Sequence, residues 1–456
     1  MKNTLRILFF VLFFTSLVPT IFAMETVEHT APALSAADLG LGDEQPAPEI
    51  IIPKITNTSS VSEVIRSCKL LPFARKSTGN AKPNSTIVDM PSFIYILDFN
   101  NSFFYRKALE TDLWTTPINP FIDAYVEKKI FTTGMPLYIH GDIHGDVKSL
   151  ALYLEELMAE GLLDDHWHLA PSCNPIFLGD YIDRGIYNIE TLFMLAMLKA
   201  FNQERVTLIQ GNHDLLYPCI DPALTEDLIR VIPNEKERDY CLYALQSFLK
   251  SLPAALYAQV KTTPQPESPI AYTLLFCHGG CSYEHATVGD FLRHPTHKYE
   301  ASPFSPIYSG NIYSLVDFQD TTEDFAKLEG EVTGHGQLLY RNGAIDWMNR
   351  HGISAIFRGH QHSNSISERF LHLFPARFMK KIIDGNGVAK LWRPETIPAT
   401  QQLWNYMVCT LNVSPDNFFG EDCGFNYDTF VTLTLADTFE ASVYEQYQIP
   451  VLPTRQ

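Results

Sequence analysis

The chain has 456 residues, which is enough for one large α/β domain with insertions or for two smaller domains. Hydrophobic residues make up 46% of it and aromatic residues 12%, so a sizeable core is expected and general disorder is excluded. The formal charge of −18 at pH 7 argues against nucleic acid as a partner, because binding to a phosphate backbone requires a basic face.

The first residues have the pattern of a secretory signal peptide. Lys2 and Arg6 precede an almost entirely apolar run over residues 7–18, and Ala23 ends a plausible cleavage site. The run is short for a membrane-spanning helix, which needs about 20 residues. We therefore predict a signal peptide over residues 1–23, with a secreted or periplasmic bacterial protein that keeps no stable membrane association after cleavage. An uncleaved anchor is the alternative.

Composition divides the rest of the chain into four parts. Residues 24–56 are rich in Pro, Ala and acidic residues without helical or strand periodicity, which predicts a flexible leader. Residues 57–130 contain apolar segments but no chemical motif, and we interpret them as an N-terminal cap or extension. Residues 131–438 are predicted to be the α/β domain that carries the motifs described next. Residues 439–456 are predicted to be a C-terminal tail.

Five short apolar runs predict strands, and each is followed at once by a polar motif. The predicted strands lie at residues 137–139, 176–178, 206–209, 273–276 and 354–357. The motifs are GDIHGD at 141–146, GDYIDRG at 179–185, GNHD at 211–214, HGG at 278–280 and RGHQH at 358–362. Polar residues at the carboxyl ends of strands share one edge of a sheet, which is where open α/β folds bind ligands.

Helical spacing follows the first two motifs. Apolar residues recur with helical period over residues 147–158, where Asp146 is placed to cap the helix, and a second helix is predicted over residues 189–200. A late strand is predicted over residues 431–435. Strands that alternate with helices in this way predict an α/β fold.

The motifs contain the side chains that bind two hard cations, which need carboxylate and imidazole ligands from several strands. Asp142 and His144 are separated by one residue, so both can reach one ion, and Asp180 can bridge two ions. Each of these residues alone would more often be a cap or a turn residue, but five motifs in series favour a metal site. The predicted ligands are Asp142, His144, Asp180, Asn212, His278 and His360.

The order and residue types of the five motifs resemble the calcineurin-like metallophosphoesterases, and the DRG of the second motif resembles their phosphoprotein phosphatase branch. The similarity covers residues 136–435. It implies an α/β fold with a β-sandwich flanked by helices and a site for two divalent metal ions at strand carboxyl ends. Manganese is expected, with iron, zinc or magnesium as alternatives. In that family a hydroxide bridging the metals attacks phosphorus in line.

The resemblance also implies roles for residues beside the metal ligands. His213 matches the general acid for the leaving oxygen, and Asp183 matches the carboxylate that orients it. Arg184 matches an arginine that binds two phosphate oxygens, and Asn212 is placed to contact the same phosphate. A surface ion pair is the alternative interpretation of Asp183 and Arg184. The expected substrate is a phosphorylated protein or peptide.

His362 has two interpretations that the sequence leaves open. The phosphoprotein phosphatases commonly have one histidine in the last motif, whereas the wider superfamily has GHxH with a second metal-binding histidine. This chain has the wider form in RGHQH. His362 is therefore either a seventh metal ligand or a solvent-facing residue after a strand.

The chain departs from the family pattern around the expected phosphate site. Thr333 falls where the family has its second phosphate-binding arginine, and His335 could compensate. Phe418 replaces the tyrosine of the family's SAPNY segment. Gln210 and Asp214 replace the arginine before GNH and the glutamate after it. We therefore expect a working hydrolase with unusual substrate selection.

Eight cysteines are present, and an even number in an exported chain permits disulfides. Cys219 and Cys241 flank an acidic insertion and are expected to pair. Cys277 and Cys409 lie in apolar, strand-like runs and are expected to be buried thiols.

Two other functions compete with a phosphoprotein phosphatase. A small-molecule metallophosphoesterase, such as a dinucleoside polyphosphate hydrolase, is slightly favoured by GNHD and GHQH, whereas DRG favours the protein phosphatase. A non-catalytic scaffold on a dead phosphatase fold would fit the altered positions Thr333 and Phe418. The complete set of predicted metal ligands argues against the scaffold.

Overall fold

The computed structural model describes residues 52–71, 86–116, 123–214, 222–280, 288–302, 304–305, 310–311, 316–319, 337–360, 388–391, 407–411 and 427–450, which all belong to one compact unit. Its helices are α1 (Val61–Leu70), α2 (Met90–Leu109), α3 (Val147–Ala159), α4 (Asn188–Phe201), α5 (Pro222–Val231), α6 (Glu235–Lys250), α7 (Val288–Arg293) and α8 (Arg341–His351). Short 3₁₀ helices span Thr111–Leu113 and Phe439–Ala441. No helix among these residues combines the length and apolar character needed to cross a membrane.

Strands from the whole described region form the sheets. They are β1 (Tyr125–Thr132), β2 (Pro136–His140), β3 (Asn174–Phe177), β4 (Thr207–Leu208), β5 (Ala255–Lys261), β6 (Ile270–Cys277), β7 (Tyr299–Ala301), β8 (Phe304–Ser305), β9 (Gly310–Asn311), β10 (Val316–Gln319), β11 (Gln337–Tyr340), β12 (Ile353–Arg358), β13 (Val388–Leu391), β14 (Met407–Leu411), β15 (Tyr427–Thr434) and β16 (Val443–Pro450). The predicted strands correspond to β2, β3, β4, β6, β12 and β15.

Two mixed sheets form a β-sandwich. The seven-stranded sheet has the order β13-β14-β12-β6-β5-β1-β7, and the five-stranded sheet has the order β16-β15-β2-β3-β4. One buried apolar cluster contains side chains of both sheets, among them Ile139 and Ile176 of the smaller sheet and Leu274 and Phe357 of the larger one. Two short pairs, β8-β9 and β10-β11, lie apart from these sheets. The β-sandwich predicted from the sequence is confirmed.

Helices flank both sheets, as expected. On the seven-stranded sheet, Phe291 of α7 and Trp347 of α8 share a buried cluster with Ile356 of β12. On the five-stranded sheet, helices α3 and α4 share another cluster with Phe177 of β3. The side chain of Asp146 accepts a hydrogen bond from Ser149 N at 3.1 Å, so the predicted cap of α3 is confirmed.

Helix α4 is enclosed on all sides. Every residue from Asn188 to Ala200 is buried, and a helix that is apolar all round has to be covered on each face. Part of this cover comes from α2, where Asn100 Nδ2 donates a hydrogen bond to Ala196 O at 3.0 Å. The Glu190 carboxylate is buried in the same region and accepts from Thr86 Oγ1 at 2.5 Å. Helix α4 is therefore a fixed support for the loop before it.

Two predicted domain boundaries separate strands that belong to the same sheets. The expected N-terminal extension ends at residue 130, but β1 continues past this point and pairs in parallel with β5 of the seven-stranded sheet. The expected tail from residue 439 contains β16, which pairs with β15 along its whole length. The sequence did not indicate these strands because they carry charged residues such as Lys128, Lys129 and Glu445.

The described cysteines are free thiols. Cys277 and Cys409 are buried, as predicted, and burial raises the pKa of each thiol to about 12. Cys241 is also a buried free thiol, which contradicts the expected disulfide with Cys219. Helix α6 points the side chain of Cys241 into the apolar core, where it packs as a small hydrophobic residue. Cys219 itself lies outside the described residues, as do the predicted signal peptide and most of the predicted leader.

Candidate metal centre

The loops after five strands meet at one place. Strands β2, β3 and β4 run parallel in one sheet, and β6 and β12 run parallel in the other. Left-handed backbone at a residue other than glycine costs about 1–3 kcal/mol and persists only where the surrounding structure imposes it. Apart from one tryptophan, the described non-glycine residues with positive φ all lie in these loops: His144 (50°), Asp180 (54°), Asp183 (70°), Arg184 (66°) and His360 (72°).

Glycines let the loops touch each other. At Gly179, where φ is +100°, a Cβ atom would lie 2.5 Å from Gly211 N, so the second and third motifs are in backbone contact. At Gly359 a Cβ atom would overlap Asp142 Oδ1, so the fifth motif is pressed against the first. These contacts leave no room for a larger residue and bring the predicted ligands together.

Asp180 lies at the centre of the site. Its carboxylate is fully buried, and Oδ1 accepts a hydrogen bond from His213 N at 2.9 Å. Oδ2 makes no hydrogen bond among the described residues, although His278 Nε2 lies 3.1 Å and His144 Nε2 lies 3.5 Å away. A buried carboxylate oxygen that faces two imidazole nitrogens is the arrangement expected of a bridging metal ligand.

Two histidines are held with Nε2 turned toward Asp180. His144 Nδ1 lies 2.9 Å from Ile182 O, and His278 Nδ1 lies 2.8 Å from Leu178 O. A carbonyl oxygen can only accept, so Nδ1 carries the proton in both rings and the lone pair of the neutral imidazole is on Nε2. A hydrogen bond from the other ring nitrogen to a backbone carbonyl is the usual support of a metal-binding histidine.

The side chains form two overlapping groups of three. Asp142, His144 and Asp180 form one group, and Asp180, His278 and His360 form the other, with the ligand atoms of each group within 4.8 Å of one another. The shared member is Asp180. Asn212 belongs to the second group, because its Oδ1 lies 2.8 Å from His360 Nδ1 and 3.0 Å from His278 Nε2. The donor set therefore fits two adjacent cations that share one carboxylate.

Charge in the site also favours a cation. Burial raises the pKa of Asp142 to about 6, although His278 opposes this. Burial acts in the same way on Asp180, but the histidines around it hold its pKa well below the usual range. Burial should lower the pKa of His278, but Asp180 and Asp142 outweigh it and raise the pKa to about 9. Two buried carboxylates thus bind a proton at an imidazole when no stronger cation is present.

The predicted acid pair is formed. His213 Nδ1 lies 2.8 Å from Asp183 Oδ2, so the carboxylate fixes the tautomer and leaves Nε2 pointing away from it. Burial tends to lower the pKa of His213, but the charge of Asp180 and the hydrogen bond to Asp183 outweigh it and raise the pKa. A raised pKa favours the protonated imidazole, which is the form that can act as an acid.

Arg184 lies between this pair and the metal ligands. Its Nη1 donates to His144 Nε2 at 3.0 Å, and its Nη2 donates to His213 Nε2 at 3.1 Å. The alternative interpretation, a surface ion pair with Asp183, is not seen among the described residues, because the guanidinium reaches across the site instead. Both guanidinium contacts are to atoms that a metal ion and a substrate would engage.

Residues 135–364, half of the chain, match the calcineurin-like phosphoesterase family. This chain belongs to the calcineurin-like phosphoesterase family. The family implies divalent metal ions, in agreement with the two groups of aspartate and histidine around Asp180.

Relatives of this family member include named protein phosphatases. The chain is 29% identical over 236 residues to "Serine/threonine-protein phosphatase 4 catalytic subunit" of Eremothecium gossypii, covering 52% of this chain and 65% of that protein. It is 27% identical over 253 residues to "Serine/threonine-protein phosphatase 6 catalytic subunit" of Drosophila melanogaster, covering 56% and 71%. The chain thus spans just under two thirds of the first of these relatives.

A solved structure of a serine/threonine phosphatase from Saccharomyces cerevisiae, described as similar to human phosphatase PP5, is a distant neighbour. It has a TM-score of 0.45 and 14% sequence identity, and the alignment covers 80% of this chain and 91% of that one.

Asp214 has a role that the motif alone did not reveal. Its buried carboxylate accepts hydrogen bonds from the backbone amides of Asp180, Tyr181 and Gly211 at 2.9, 3.0 and 2.8 Å. Burial and the charge of Asp180 raise the pKa of Asp214 to about 7. The residue therefore ties the second motif to the third. The aspartate at this position, where the family usually has glutamate, therefore changes the hydrogen bonds between the two motifs and not the surface that contacts a substrate.

Four positions of interest lie outside the described residues. They are His362, Thr333, His335 and Phe418. Gln210 is described, and its Nε2 donates to Leu249 O at 2.9 Å from a buried position. The glutamine at this position, where the family usually has arginine, therefore supports the fold beneath the site.

Proposed function

We propose that this protein is a metal-dependent phosphatase that hydrolyses phosphate monoesters of phosphorylated proteins. The observation that carries the proposal is the position of Asp180, whose buried carboxylate is shared by two groups of metal-binding side chains. Membership of the calcineurin-like phosphoesterase family supports the same reaction. The first relatives are named serine/threonine-protein phosphatases, which supports a phosphoprotein substrate.

Each group in the site has a task in that reaction. When bound, divalent cations would neutralise the phosphate and activate a water molecule for attack. The proposed ligands are Asp142, His144, Asp180, Asn212, His278 and His360, with His362 as a further candidate. Manganese is the proposed metal, on the resemblance to the family.

The chain's own residues supply the proton transfer and the phosphate contacts. His213 gives its Nε2 proton to the oxygen that leaves, while Asp183 holds the imidazole in the required tautomer through its 2.8 Å contact. Arg184 is within reach of the same space and can donate two parallel hydrogen bonds to phosphate oxygens. A substrate phosphate would take the guanidinium from its present contacts with His144 and His213.

A metal-titrated assay tests the function. The stripped protein should be inactive and should regain activity with Mn²⁺ on phosphothreonine or phosphotyrosine peptides. A dinucleoside tetraphosphate is the third substrate, and preference for it would replace the proposal with a small-molecule phosphoesterase. Asp180→Ala should lose metal and activity together, whereas the remote variant Asn100→Ala should keep both. Retained activity in Asp180→Ala would contradict the metal centre. If the metal-loaded protein hydrolyses none of the three substrates, a non-catalytic scaffold is indicated.

We also propose that the protein is exported. The basic start, the apolar run over residues 7–18 and the site ending at Ala23 support this proposal. Sequencing of the mature N-terminus after cell fractionation tests it, and the expected first residue is Met24. An uncleaved chain in the cytoplasmic fraction would contradict it.

A further inference from the structure

The loop that carries Asp183 and Arg184 is bracketed by one side-chain amide. Asn188 Oδ1 accepts from Asp183 N at 3.0 Å, and Asn188 Nδ2 lies 3.4 Å from Gly185 O, which it faces as a donor. Asn188 is the first residue of α4, and only 1% of it is exposed. A single amide therefore satisfies the backbone at both ends of the three-residue segment.

This segment needs support because its backbone is strained. Asp183 and Arg184 have φ of 70° and 66°, and each such residue costs about 1–3 kcal/mol unless neighbouring groups hold it. Within the segment, Gly185 N donates to Asp183 O at 2.7 Å, which closes a tight turn. The hydrogen bond to Asn188 ties this turn to the buried helix α4.

The amide of Asn188 is itself oriented by a charge. Asn188 Nδ2 lies 3.2 Å from Asp227 Oδ2, a buried carboxylate of α5. A carboxylate accepts and cannot donate, so it selects the rotamer in which the NH₂ group faces Asp227 and the oxygen faces Asp183 N. Arg230 donates to Asp227 Oδ1 at 2.6 Å and fixes the carboxylate in turn.

The first motif is packed on the same amide. A Cβ atom at Gly145 would lie 2.6 Å from Asn188 Oδ1, so a larger residue there would displace the amide. Asn188 thus lies where the loops of the first two motifs and helix α5 meet. Neither Asn188 nor Asp227 is part of a predicted motif, and Asp227 does not belong to either group of acidic and imidazole side chains around Asp180.

We propose that Asn188 is the positioning residue for Arg184 and Asp183, and that Asp227 sets the orientation in which Asn188 works. The proposal rests on the phosphatase function proposed above. Loss of the amide lets the strained turn relax, which withdraws the guanidinium from the phosphate and the Asp183 carboxylate from His213. Because a displacement of about 1 Å can lower a rate by about a hundredfold, the expected loss in kcat/KM is about tenfold to a hundredfold.

Asn188→Ala tests the proposal, with Asn100→Ala as its matched control. Asn100 is also a buried asparagine next to α4, but its amide donates to Ile96 O and Ala196 O and touches no motif. Hydrogen exchange of the Asp183 amide should become faster in Asn188→Ala and stay as in the wild type in Asn100→Ala. This readout does not depend on activity.

Activity measurements separate positioning from loss of stability. In Asn188→Ala the inhibition constant of inorganic phosphate should rise about tenfold, because Arg184 no longer faces it. The loss in kcat/KM should be larger for phenyl phosphate than for p-nitrophenyl phosphate, because the better leaving group needs less help from His213. Asn100→Ala should lower the unfolding midpoint without changing the inhibition constant of phosphate or the relative activity on the two aryl phosphates.

Two variants of Asp227 test the second part of the proposal, that Asp227 orients the amide of Asn188. Asp227→Asn keeps an acceptor for Asn188 Nδ2 and should stay within about threefold of the wild type, whereas Asp227→Leu should reproduce the effects of Asn188→Ala. Suppose that the wild type is active, and that Asn188→Ala shows unchanged exchange of the Asp183 amide, an unchanged inhibition constant of phosphate and unchanged relative activity on the two aryl phosphates. This result would overturn the proposal and leave the phosphatase function standing. If the metal-loaded wild type hydrolyses neither aryl phosphate, the proposed phosphatase function is wrong. Faster exchange of the Asp183 amide in Asn188→Ala, without the same change in Asn100→Ala, would still support the positioning of the loop by Asn188.

Discussion

The shared carboxylate of Asp180 and the imidazole of His213 divide the chemistry between them. Asp180 Oδ1 accepts from His213 N, so the backbone of the proposed acid is tied to the proposed bridging ligand at 2.9 Å. Their side chains have different partners, since Asp180 Oδ2 faces His278 and His213 Nδ1 contacts Asp183. Replacing the imidazole should therefore remove proton transfer without removing the metal site.

His213→Gln should lower kcat/KM for an alkyl phosphomonoester by about a hundredfold or more, because the leaving alkoxide then departs without a proton. The loss on p-nitrophenyl phosphate should be much smaller. Steady-state kinetics on both substrates, with metal content measured on the same preparations, checks the expectation. Equal losses on the two substrates at full metal content would contradict the role of His213 as the acid.

Motif residues were predictable because each directly follows a buried strand. Asp142, Asp180 and His278 come one to three residues after β2, β3 and β6, and the strand direction places them at one edge. Asn188 and Asp227 were not predictable, because their hydrogen bond joins positions 39 residues apart. Nor could the sequence indicate that Arg184 would contact His144, since that contact depends on positive φ in a turn.

Strands and helices were predicted unequally well for a physical reason. Strands β3 and β6 are apolar runs and were found, whereas β1 carries Glu127, Lys128 and Lys129 and reads as a charged surface segment. In the structure Lys128 is buried, with its Nζ donating to Phe291 O at 2.8 Å and His294 O at 2.6 Å. Such strands are recognised only from their partners.

Asp146 gives a test of one helix. Its carboxylate accepts from Ser149 N at 3.1 Å and from Ser149 Oγ at 2.7 Å, and it is buried. Asp146→Ala should lower the free energy of unfolding by about 1–2 kcal/mol, the upper range for an N-cap. Asn234→Ala removes the exposed cap of α6 and should cost about 0.5 kcal/mol. Urea denaturation measures both, and a cost for Asp146→Ala no greater than for Asn234→Ala would contradict the assignment.

A buried amine should make the stability of the folded protein depend on pH. Lys199 at the end of α4 is buried and donates to Gln203 O at 2.6 Å and Val206 O at 2.8 Å. Burial lowers its pKa from 10.5 to about 7. Between these two values the unfolded chain keeps a proton that the folded chain has lost, so stability rises with pH.

Lys199→Met should remove this dependence. The free energy of unfolding of the wild type relative to Lys199→Met should rise from pH 7 to pH 10 and stay flat below pH 7, where the amine is protonated in both states. Denaturant titrations at pH 6, 7, 8, 9 and 10 check the expectation, since the other titrating groups are common to both proteins. A flat difference across this range would show that the folded-state pKa of Lys199 is not lowered.

The pairing order of the five-stranded sheet limits when the protein can fold. Strand β2 lies between β3, which follows it closely in the chain, and β15, which comes almost last. Until a ribosome has made residues 427–434, β2 has an open edge and the apolar faces of the sandwich are incomplete. Pairing across such long separations is slow, so folding has to follow synthesis. A chain truncated before β15 should therefore aggregate instead of folding into a smaller enzyme.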